Sequence, residues 1–293
     1  MALGQRVVLA VYGRPDQAPL TPASRAQYCG FLSHVLARLP VRDIVIWNEA
    51  NSPTFWPTAA GAPAYEALLA DCWTTLHRLR RPVNVISSTA ARHDPAEFIR
   101  EVGIAYRASA RAAPIVDTFG HNPYPLSASE PPWAQHPEDP TVIGQGDLKT
   151  LLASYETAFA GTGQPVPGTG GVTVWYLEDG FQTTIPSDKQ RFYRGSENDR
   201  YVIPPVANGS GEQRVRPDQA RQLSNALKLA YCQPAVGAFF NFELMDEARL
   251  RGWQSGVLWR DGTPKPSYES FKGTIAAVKA GDVDCSTVTG GGS

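Results

Sequence analysis

The stretch Ile44-Val45-Ile46-Trp47-Asn48-Glu49-Ala50-Asn51-Ser52-Pro53 is an apolar run that ends in a tryptophan, an amide and a carboxylic acid. β-Branched runs that end at a turn are typical of strands. In parallel α/β sheets and barrels, ligands bind at the carboxyl ends of the strands. We therefore expect Glu49 to be placed like a catalytic group, with Asn48 beside it as a hydrogen-bonding partner. An isolated Asn-Glu pair would more often be a surface feature after a buried strand.

A second carboxylate, Glu178, follows another strand-like run, Val172 to Leu177. Hydrolysis of a glycosidic bond needs two carboxyl groups: one protonates the leaving oxygen, and the other attacks the anomeric carbon or activates water. Two glutamates that close different strands at the same end of a sheet would meet this requirement. The pair therefore favours glycoside hydrolysis, with Asn48 positioned to hold a sugar hydroxyl or one of the carboxylates.

Apolar strand-like runs alternate with amphipathic helical segments along the whole chain. This pattern predicts an α/β fold, a (β/α) TIM-type barrel with six recognisable units, in one domain over residues 1–286. The polar stretch from Asp179 to Val215 is too long for an ordinary connection, and we interpret it as a lid over the site. The Gly-rich tail at 287–293 is expected to be disordered. The six strands are expected near 5–12, 44–49, 83–86, 115–120, 172–177 and 236–242.

Composition limits the possible partners. The chain has 293 residues, a net charge of -1 and 19% charged residues, so we expect neither nucleic acid nor membrane as a partner. Aromatic residues make up 10%, which suits a site that stacks on sugar faces. No run is long enough for a membrane span, and we find no signal peptide. Secretion is the expectation, and a cytoplasmic location the alternative.

The four cysteines lack the spacing of a zinc site. They are either reduced core thiols or two disulfides. Cys29 and Cys72 fall in consecutive predicted helices, and Cys232 and Cys285 fall in the last two, so pairing of neighbours is geometrically possible.

Other residues at the same end of the predicted sheet are candidates for substrate binding. His121 and Tyr124 follow a third strand and can donate to hydroxyls or to a carboxylate, although a structural role for His121 is equally expected. Acidic residues crowd the end of the last strand, where a solvated rim is the simplest interpretation and substrate binding the alternative. The tryptophan candidates for stacking are Trp56, Trp133 and Trp253, and the acidic residues are Glu243, Asp246 and Glu247.

Four motifs occur in order along the chain. They are Trp47-Asn48-Glu49, His121-Asn122-Pro123-Tyr124, Leu177-Glu178-Asp179-Gly180-Phe181-Gln182-Thr183, and Gly252-Trp253-Gln254-Ser255-Gly256 through Pro264-Lys265-Pro266. Together they resemble the retaining glycoside hydrolases of the cellulase and β-xylosidase superfamily. That clan carries two glutamates after barrel strands four and seven, and the resemblance extends from Gln5 to Phe271. Two departures stand out: the first two βα units, with the arginine after strand two, have no counterpart, and the usual Glu-Phe-Gly reads Glu178-Asp179-Gly180.

The resemblance implies that Glu49 is the acid/base and Glu178 the nucleophile of a retaining β-glycosidase, acting on a β-linked oligosaccharide or polysaccharide without a cofactor or metal. It also implies that the subsite of the cleaved sugar is lined by Asn48, His121 and Tyr124. Trp47 is a further candidate for substrate binding. A non-catalytic sugar-binding barrel, or an inactive truncated relative, is the alternative. Exposed barrel edges would favour an oligomer. A serine hydrolase is a distant third because no G-x-S-x-G elbow occurs.

Overall fold

A computed structural model describes residues 5–168, 171–196 and 219–288. The chain divides into two compact units. The first comprises residues 1–122, 136–143 and 148–177, and the second comprises residues 123–135, 144–147 and 178–293. The prediction that residues 1–286 form a single barrel domain stays a prediction.

The first unit contains a parallel sheet in the order β1 (Val8–Val11), β2 (Asp43–Ile46) and β3 (Asn84–Ile86). The central strand β2 is buried throughout, as its apolar sequence predicts. Full burial of an Ile side chain contributes about 1.5–3 kcal/mol, so Ile44 and Ile46, each at 0% exposure, anchor the sheet. The register of β2 is therefore well determined.

A second set of parallel strands in this unit comprises β4 (Thr89–Ala90), β5 (Phe119–Asn122) and the greater part of β6 (Val174–Asp179). The predicted third strand thus continues beyond Ile86 as a separate short strand, β4. The predicted strand at 115–120 is shifted, because His121 lies inside β5 and not after it. Parallel strands alternating with helices confirm the α/β class, while closure into a barrel and the number of βα units stay predictions.

Helices connect these strands, and the first residues of one of them explain where it begins. Helix α1 (Pro22–Arg38) starts with Pro at its first position, and the Thr21 hydroxyl accepts a hydrogen bond from the Ser24 amide. Helices α2 (Gly61–Leu76), α3 (Pro95–Ala108) and α4 (Leu148–Phe159) follow. A Cys29–Cys72 disulfide joins α1 to α2, with the Cα atoms 4.9 Å apart.

The second unit contains the end of β6, helix α5 (Gln219–Tyr231), strand β7 (Val236–Asn241) and helix α6 (Pro266–Ala280). Phe181, Leu223, Ala226 and Val257 form a buried apolar cluster in this unit. The disulfide Cys232–Cys285 closes it, with Cα atoms 5.5 Å apart. Both pairings that the helix positions made possible are therefore present.

The two segments predicted to be mobile are only partly described. Within the predicted lid, Tyr193 is buried at 9% exposure, and a short 3-10 helix covers Gln190–Phe192. Residues 197–215 of the lid lie outside the described residues. At the predicted disordered tail, Cys285–Thr287 form another 3-10 helix and Val288 is 4% exposed, so the tail does not begin at 287. Residues 289–293 also lie outside the described part.

None of the helices in the described ranges has the length and apolar character that crossing a membrane requires.

Candidate active site

The backbone that carries Glu49 has an unusual conformation. β2 ends at Ile46, and Trp47 (φ 62°) and Glu49 (φ 39°) both lie in the left-handed region, which side chains other than glycine rarely adopt. Hydrogen bonds hold this segment in place: the Trp47 amide donates to the Tyr28 hydroxyl (3.2 Å), and the Glu49 amide donates to Ser88 Oγ (3.1 Å). Such strain persists only where the surroundings enforce it, and it clusters at functional sites.

The Glu49 carboxyl has one amide partner and belongs to a half-buried residue. Asn122 Nδ2 donates to its Oε1 over 2.9 Å. Burial raises the pKa of Glu49, and the bond from Asn122 partly opposes that rise. Since burial favours the neutral form, this carboxyl is suited to give a proton to a leaving group.

Asn48 and Ser88 lie next to this carboxyl in the interior. Asn48 is 4% exposed, and its Oδ1 accepts from Ser88 Oγ over 3.4 Å. Ser88 also accepts a hydrogen bond at its carbonyl from the Ala50 amide (3.1 Å). Ser88 therefore links the interruption between β3 and β4 to the glutamate loop, a role that its sequence position did not indicate.

His121 is fully buried, which corrects the expectation that it contacts sugar directly. Its Nε2 lies 2.9 Å from the Ile143 carbonyl and its Nδ1 lies 2.9 Å from Thr89 Oγ1. A carbonyl can only accept, so Nε2 carries a proton, and in the neutral ring Nδ1 then accepts from the threonine hydroxyl. His121 thus braces β5, and its neighbour Asn122 reaches Glu49.

Trp47 and Trp56 are also buried, each at 2% exposure, so neither presents a face for stacking on a sugar. Their indole nitrogens donate to backbone carbonyls, of Phe55 (2.7 Å) and Gly61 (3.0 Å) respectively. The two rings contact each other edge to face, 5.8 Å between centroids. Trp56 is in a loop by sequence, but the loop folds inward and the ring packs in the core between Trp47 and Tyr65.

Glu178 lies in the second unit, near the end of β6. The Tyr124 hydroxyl donates to Glu178 Oε2 over 3.1 Å, as a partner of a carboxylate nucleophile would. The Tyr124 ring packs against Trp253 with 4.8 Å between centroids, and Trp253 is partly exposed. Trp133 is partly exposed as well. Tyr124, Trp133 and Trp253 therefore remain candidates for sugar contacts.

The residue after Glu178 is also an acid, and unlike Glu178 it is fully buried. Asp179 is 1% exposed, and burial raises its pKa to about 8, despite a hydrogen bond from the Gly180 amide (2.8 Å). This aspartate stands where the resembling family has phenylalanine. A carboxyl that stays protonated at neutral pH is a better substitute for an apolar side chain than an ionised one.

The sequence suggested that the acidic residues beyond β7 form a solvated rim. In the structure these residues differ in burial, so the rim is not uniformly solvated. Asp246 is fully buried and pairs with Lys265 Nζ over 2.7 Å. Glu243 is half-buried, its pKa is raised to about 7 by burial and by Glu247 and Asp246, and its Oε2 is buried without a hydrogen-bond partner. An orphaned carboxyl oxygen of this kind is suited to receive a sugar hydroxyl. Glu247 is exposed.

Two functional contacts were missed from the sequence, those of Asn122 and Lys265. Asn122 stands inside the quoted motif, and a strand at 119–122 in place of 115–120 would have indicated that it reaches the site.

Among the described residues, no group of three or more His, Cys, Asp or Glu side chains could hold a metal ion.

A comparison with protein-family models finds no match, and a comparison with curated proteins finds none either. Solved structures do match. A glucosidase from Croceicoccus marinus has a TM-score of 0.60 at 11% identity, over 94% of this chain and 51% of its own. The GH53 catalytic domain of Ignisphaera aggregans has a TM-score of 0.57 at 14% identity, over 92% and 74%.

A monomeric β-xylosidase from Caulobacter crescentus CB15 has a TM-score of 0.51 at 16% identity, over 87% of this chain and 46% of its own. The chain therefore spans about half the length of the β-xylosidase and the glucosidase that it matches. At these identities the likeness is one of fold. The chain has the α/β fold of these solved glycoside hydrolases.

Proposed function

We propose that this protein is a retaining glycoside hydrolase that cleaves β-linked oligosaccharides or polysaccharides, with Glu49 as acid/base and Glu178 as nucleophile. The observation that carries the proposal is the contrast between the two carboxyl groups. Burial favours the neutral form of Glu49, whereas Glu178 accepts a hydrogen bond from a phenol hydroxyl, which orients its carboxyl group. Two carboxyls with such different surroundings suit an acid and a nucleophile.

In the first step a Glu178 oxygen attacks the anomeric carbon while Glu49 gives its proton to the glycosidic oxygen. The carbon–oxygen bond of the leaving group breaks, and a covalent glycosyl ester forms on Glu178. In the second step the Glu49 carboxylate takes a proton from water, whose oxygen attacks the anomeric carbon and releases Glu178. Each step inverts the anomeric centre, so the product keeps the configuration of the substrate.

The neighbouring side chains support these two roles. The bond from Asn122 steadies Glu49 in its ionised form between the two steps, and Tyr124 orients the Glu178 carboxylate. Glu243, Trp133 and Trp253 are the proposed contacts to sugar. Because Asn48 is buried beside Ser88, we propose that it acts mainly by holding the Glu49 loop.

The test is hydrolysis of a panel of nitrophenyl β-glycosides, with the anomer of the first product followed by proton NMR. Release of the β anomer first, followed by mutarotation, is expected for double displacement. Release of the α anomer first would contradict retention and point to carboxyls far enough apart to admit water. Absence of turnover together with binding of the same sugars would support the alternative, a non-catalytic sugar-binding protein.

We further propose that the protein works in an oxidising compartment such as the extracellular space. Both disulfides form between residues distant in sequence, and structural disulfides of this kind are rare in reducing compartments. Thiol titration of the denatured natural protein should find no free cysteine, and four free thiols would contradict this location.

A further inference from the structure

A buried lysine of the second unit has no role in the proposed chemistry. Lys265 is 2% exposed. Its Nζ donates to Thr183 Oγ1 (2.8 Å), Asp246 Oδ1 (2.7 Å) and the Gln254 carbonyl (2.8 Å). An ammonium group has three N–H donors and no acceptor. All three donors of Lys265 are therefore engaged within the protein, and its role lies in the groups that it joins.

The three acceptors belong to three different segments of the chain. Each of them follows, within five positions, a residue to which the proposed mechanism gives a role, either the nucleophile or a contact to sugar. One side chain thus connects the segments that carry the nucleophile and two of the proposed sugar contacts. The pairs are Thr183 after Glu178, Asp246 after Glu243, and Gln254 after Trp253.

The segment around Gln254 is held most firmly. Its carbonyl also accepts from Thr183 Oγ1 (3.1 Å), and the Gly256 amide donates to Asp246 Oδ1 (3.0 Å). Both of these partners are themselves bonded to Lys265. The lysine, the threonine and the aspartate therefore form one hydrogen-bonded network that fixes the backbone of this segment.

This segment carries the aromatic ring that packs beside the proposed nucleophile. The Trp253 ring lies 4.8 Å from the Tyr124 ring and 5.6 Å from the Phe242 ring, measured between centroids. The Tyr124 hydroxyl donates to Glu178 over 3.1 Å. A displacement of Gln254 would therefore move an aromatic surface that contacts the partner of the nucleophile.

Stability alone is a weak reason for a buried lysine at this position. Removing two charges from water costs much of what their attraction returns, so a buried ion pair contributes little net stability. Burial lowers the pKa of Lys265 to about 8, and attraction to Asp246 opposes that fall, so the group is mostly charged at pH 7. An apolar side chain could fill the same space, but it could not bind acceptors from three segments.

We propose that Lys265 is a positioning residue of the proposed active site, whose ammonium group holds the segments of Glu178, Glu243 and Trp253 in their relative positions for sugar binding. That these segments bind sugar rests on the proposed function, whereas the hold of Lys265 on the segment of Trp253 does not. Glu178 lies within strand β6, which supports it independently. Loss of the ammonium group should therefore weaken sugar binding more than it slows the chemical step.

Two variants remove the hold of the ammonium group. The first combines Lys265→Met with Asp246→Asn, which removes both buried charges and leaves no unpaired carboxylate. The second, Thr183→Val, is milder, because it removes one acceptor of the lysine and one donor to Gln254 while both charges stay. Thermal melting of each variant confirms that it is folded.

A matched control exists in the same unit. Lys189 Nζ also donates to an aspartate and a threonine, Asp261 Oδ2 (2.7 Å) and Thr263 Oγ1 (2.7 Å). The control combines Lys189→Met with Asp261→Asn. It removes an equivalent pair of charges that does not bind the segment around Gln254.

Two measurements are made at pH 7 on the full-length protein. The first is amide hydrogen exchange of residues 252–256, followed by mass spectrometry, and it should be about tenfold faster in the Lys265→Met/Asp246→Asn variant than in the wild type. The second is steady-state hydrolysis of the nitrophenyl β-glycoside that is turned over fastest. KM should rise by about tenfold, as for loss of one hydrogen bond to sugar, while kcat changes by less than about threefold. Thr183→Val should show the same pattern with a smaller size, and the control should match the wild type.

Wild-type exchange and an unchanged KM in the folded variants would overturn the inference. Equal effects in the control would overturn it too, since the change would then be a general loss of stability, and so would a fall in kcat at unchanged KM. If the variant that lacks both charges does not fold, Thr183→Val decides by the same criteria. The exchange measurement requires no turnover. Faster exchange at 252–256 in a protein that hydrolyses none of the glycosides would therefore contradict the proposed function alone.

Discussion

The carboxyl ends of β2 and β6 each present a glutamate, but the two ends are built differently. At β2 the chain leaves the strand before Glu49, takes two left-handed residues and places the half-buried carboxyl against an amide. At β6 the strand continues through Glu178, and the carboxyl meets a phenol hydroxyl beside a partly exposed tryptophan. The comparison teaches that residue type and position at a strand end do not determine the chemical role of a carboxyl group. Its desolvation and its hydrogen-bond donors determine that role.

Removal of the β6 carboxyl is expected to have the largest effect. Glu178→Ala should lower kcat for nitrophenyl β-glycosides by about 10⁴-fold or more, since no covalent intermediate can form. Added azide should restore product as the α-glycosyl azide, because the azide then attacks from the side that the carboxylate leaves vacant. Glu156→Ala, at an exposed position on α4, is the control and should keep full activity. A β-glycosyl azide from Glu178→Ala would instead indicate that Glu178 is the acid/base and Glu49 the nucleophile.

Glu49→Gln should have a smaller effect, and one that depends on the substrate. General acid catalysis contributes about 10²–10⁴-fold, and a good leaving group needs little of it. We expect a loss in this range for an unactivated disaccharide and a much smaller loss in glycosylation rate for a dinitrophenyl glycoside, measured as kcat/KM. Equal losses on the two substrates would mean that Glu49 does not protonate the leaving group.

Asn122→Ala should change the pH profile more than the fold. The Asn122 donor lowers the pKa of Glu49, so without it the acid ionises at a higher pH. Because the proposed acid acts in its protonated form, the alkaline fall of kcat/KM should move to higher pH, and activity below that fall should decrease about tenfold.

A matched control exists at the other end of β2, where Asn84 Nδ2 donates to Asp43 Oδ1 over the same distance of 2.9 Å. Asn84→Ala removes an equivalent amide–carboxylate bond and should leave the position of the alkaline limb unchanged. A shift of the same size in both variants would show that the effect is one of folding.

Asp179→Asn should affect stability and leave activity nearly unchanged. The pKa of Asp179 is raised to about 8 in the folded protein from 3.8, so the folded state holds a proton that the unfolded chain releases. Its contribution to the free energy of unfolding is therefore present below pH 3.8 and is lost as the pH rises toward 8. The free energy of unfolding should be measured by chemical denaturation at pH 4 and at pH 8. Relative to the wild type, the variant should be more stable at pH 8 than at pH 4.

Asp261→Asn is the opposite-sign control for this experiment. Lys189 and Thr263 lower the pKa of Asp261 to about 2 from 3.8, so its stabilising effect is present above pH 3.8 and is lost as the pH falls toward 2. The variant should be the less stable protein at pH 8, with a deficit that shrinks in acid. If the free energies of unfolding of the two variants, each relative to the wild type, changed with pH in the same direction, both pKa assignments would be contradicted.

The fold could be predicted where sequence pattern and burial coincide. Ile44–Ile46 is a β-branched run between Asp43 and Trp47, and it forms most of the central strand of a parallel sheet. The continuation of β3 into β4 could not be read, because Ser87 and Ser88 are typical loop residues. Only their partners in the folded chain, such as Tyr65 Oη for the Ser88 amide (3.0 Å), explain their burial.

The candidate site was predictable in its two glutamates and much less so in their partners. The bond from Asn122 to Glu49 joins residues 73 positions apart, and no local pattern reports such a contact. The tryptophans show the same restriction: Trp56 is in a loop by its sequence, and only the packing of α2 around it makes it a core residue. Local sequence indicates which chemistry is present, and tertiary packing decides which groups can use it.

The two disulfides bear on how the protein should be produced. Each closes a covalent loop inside one unit, with sequence separations of 43 and 53 residues. In the chain-entropy treatment a loop of this length stabilises the folded state by about 4 kcal/mol. Protein made in a reducing bacterial cytosol would lack both contributions, and each unit would be weakened separately. Export to the periplasm is therefore the production route that preserves the state in which Glu49 and Glu178 are held.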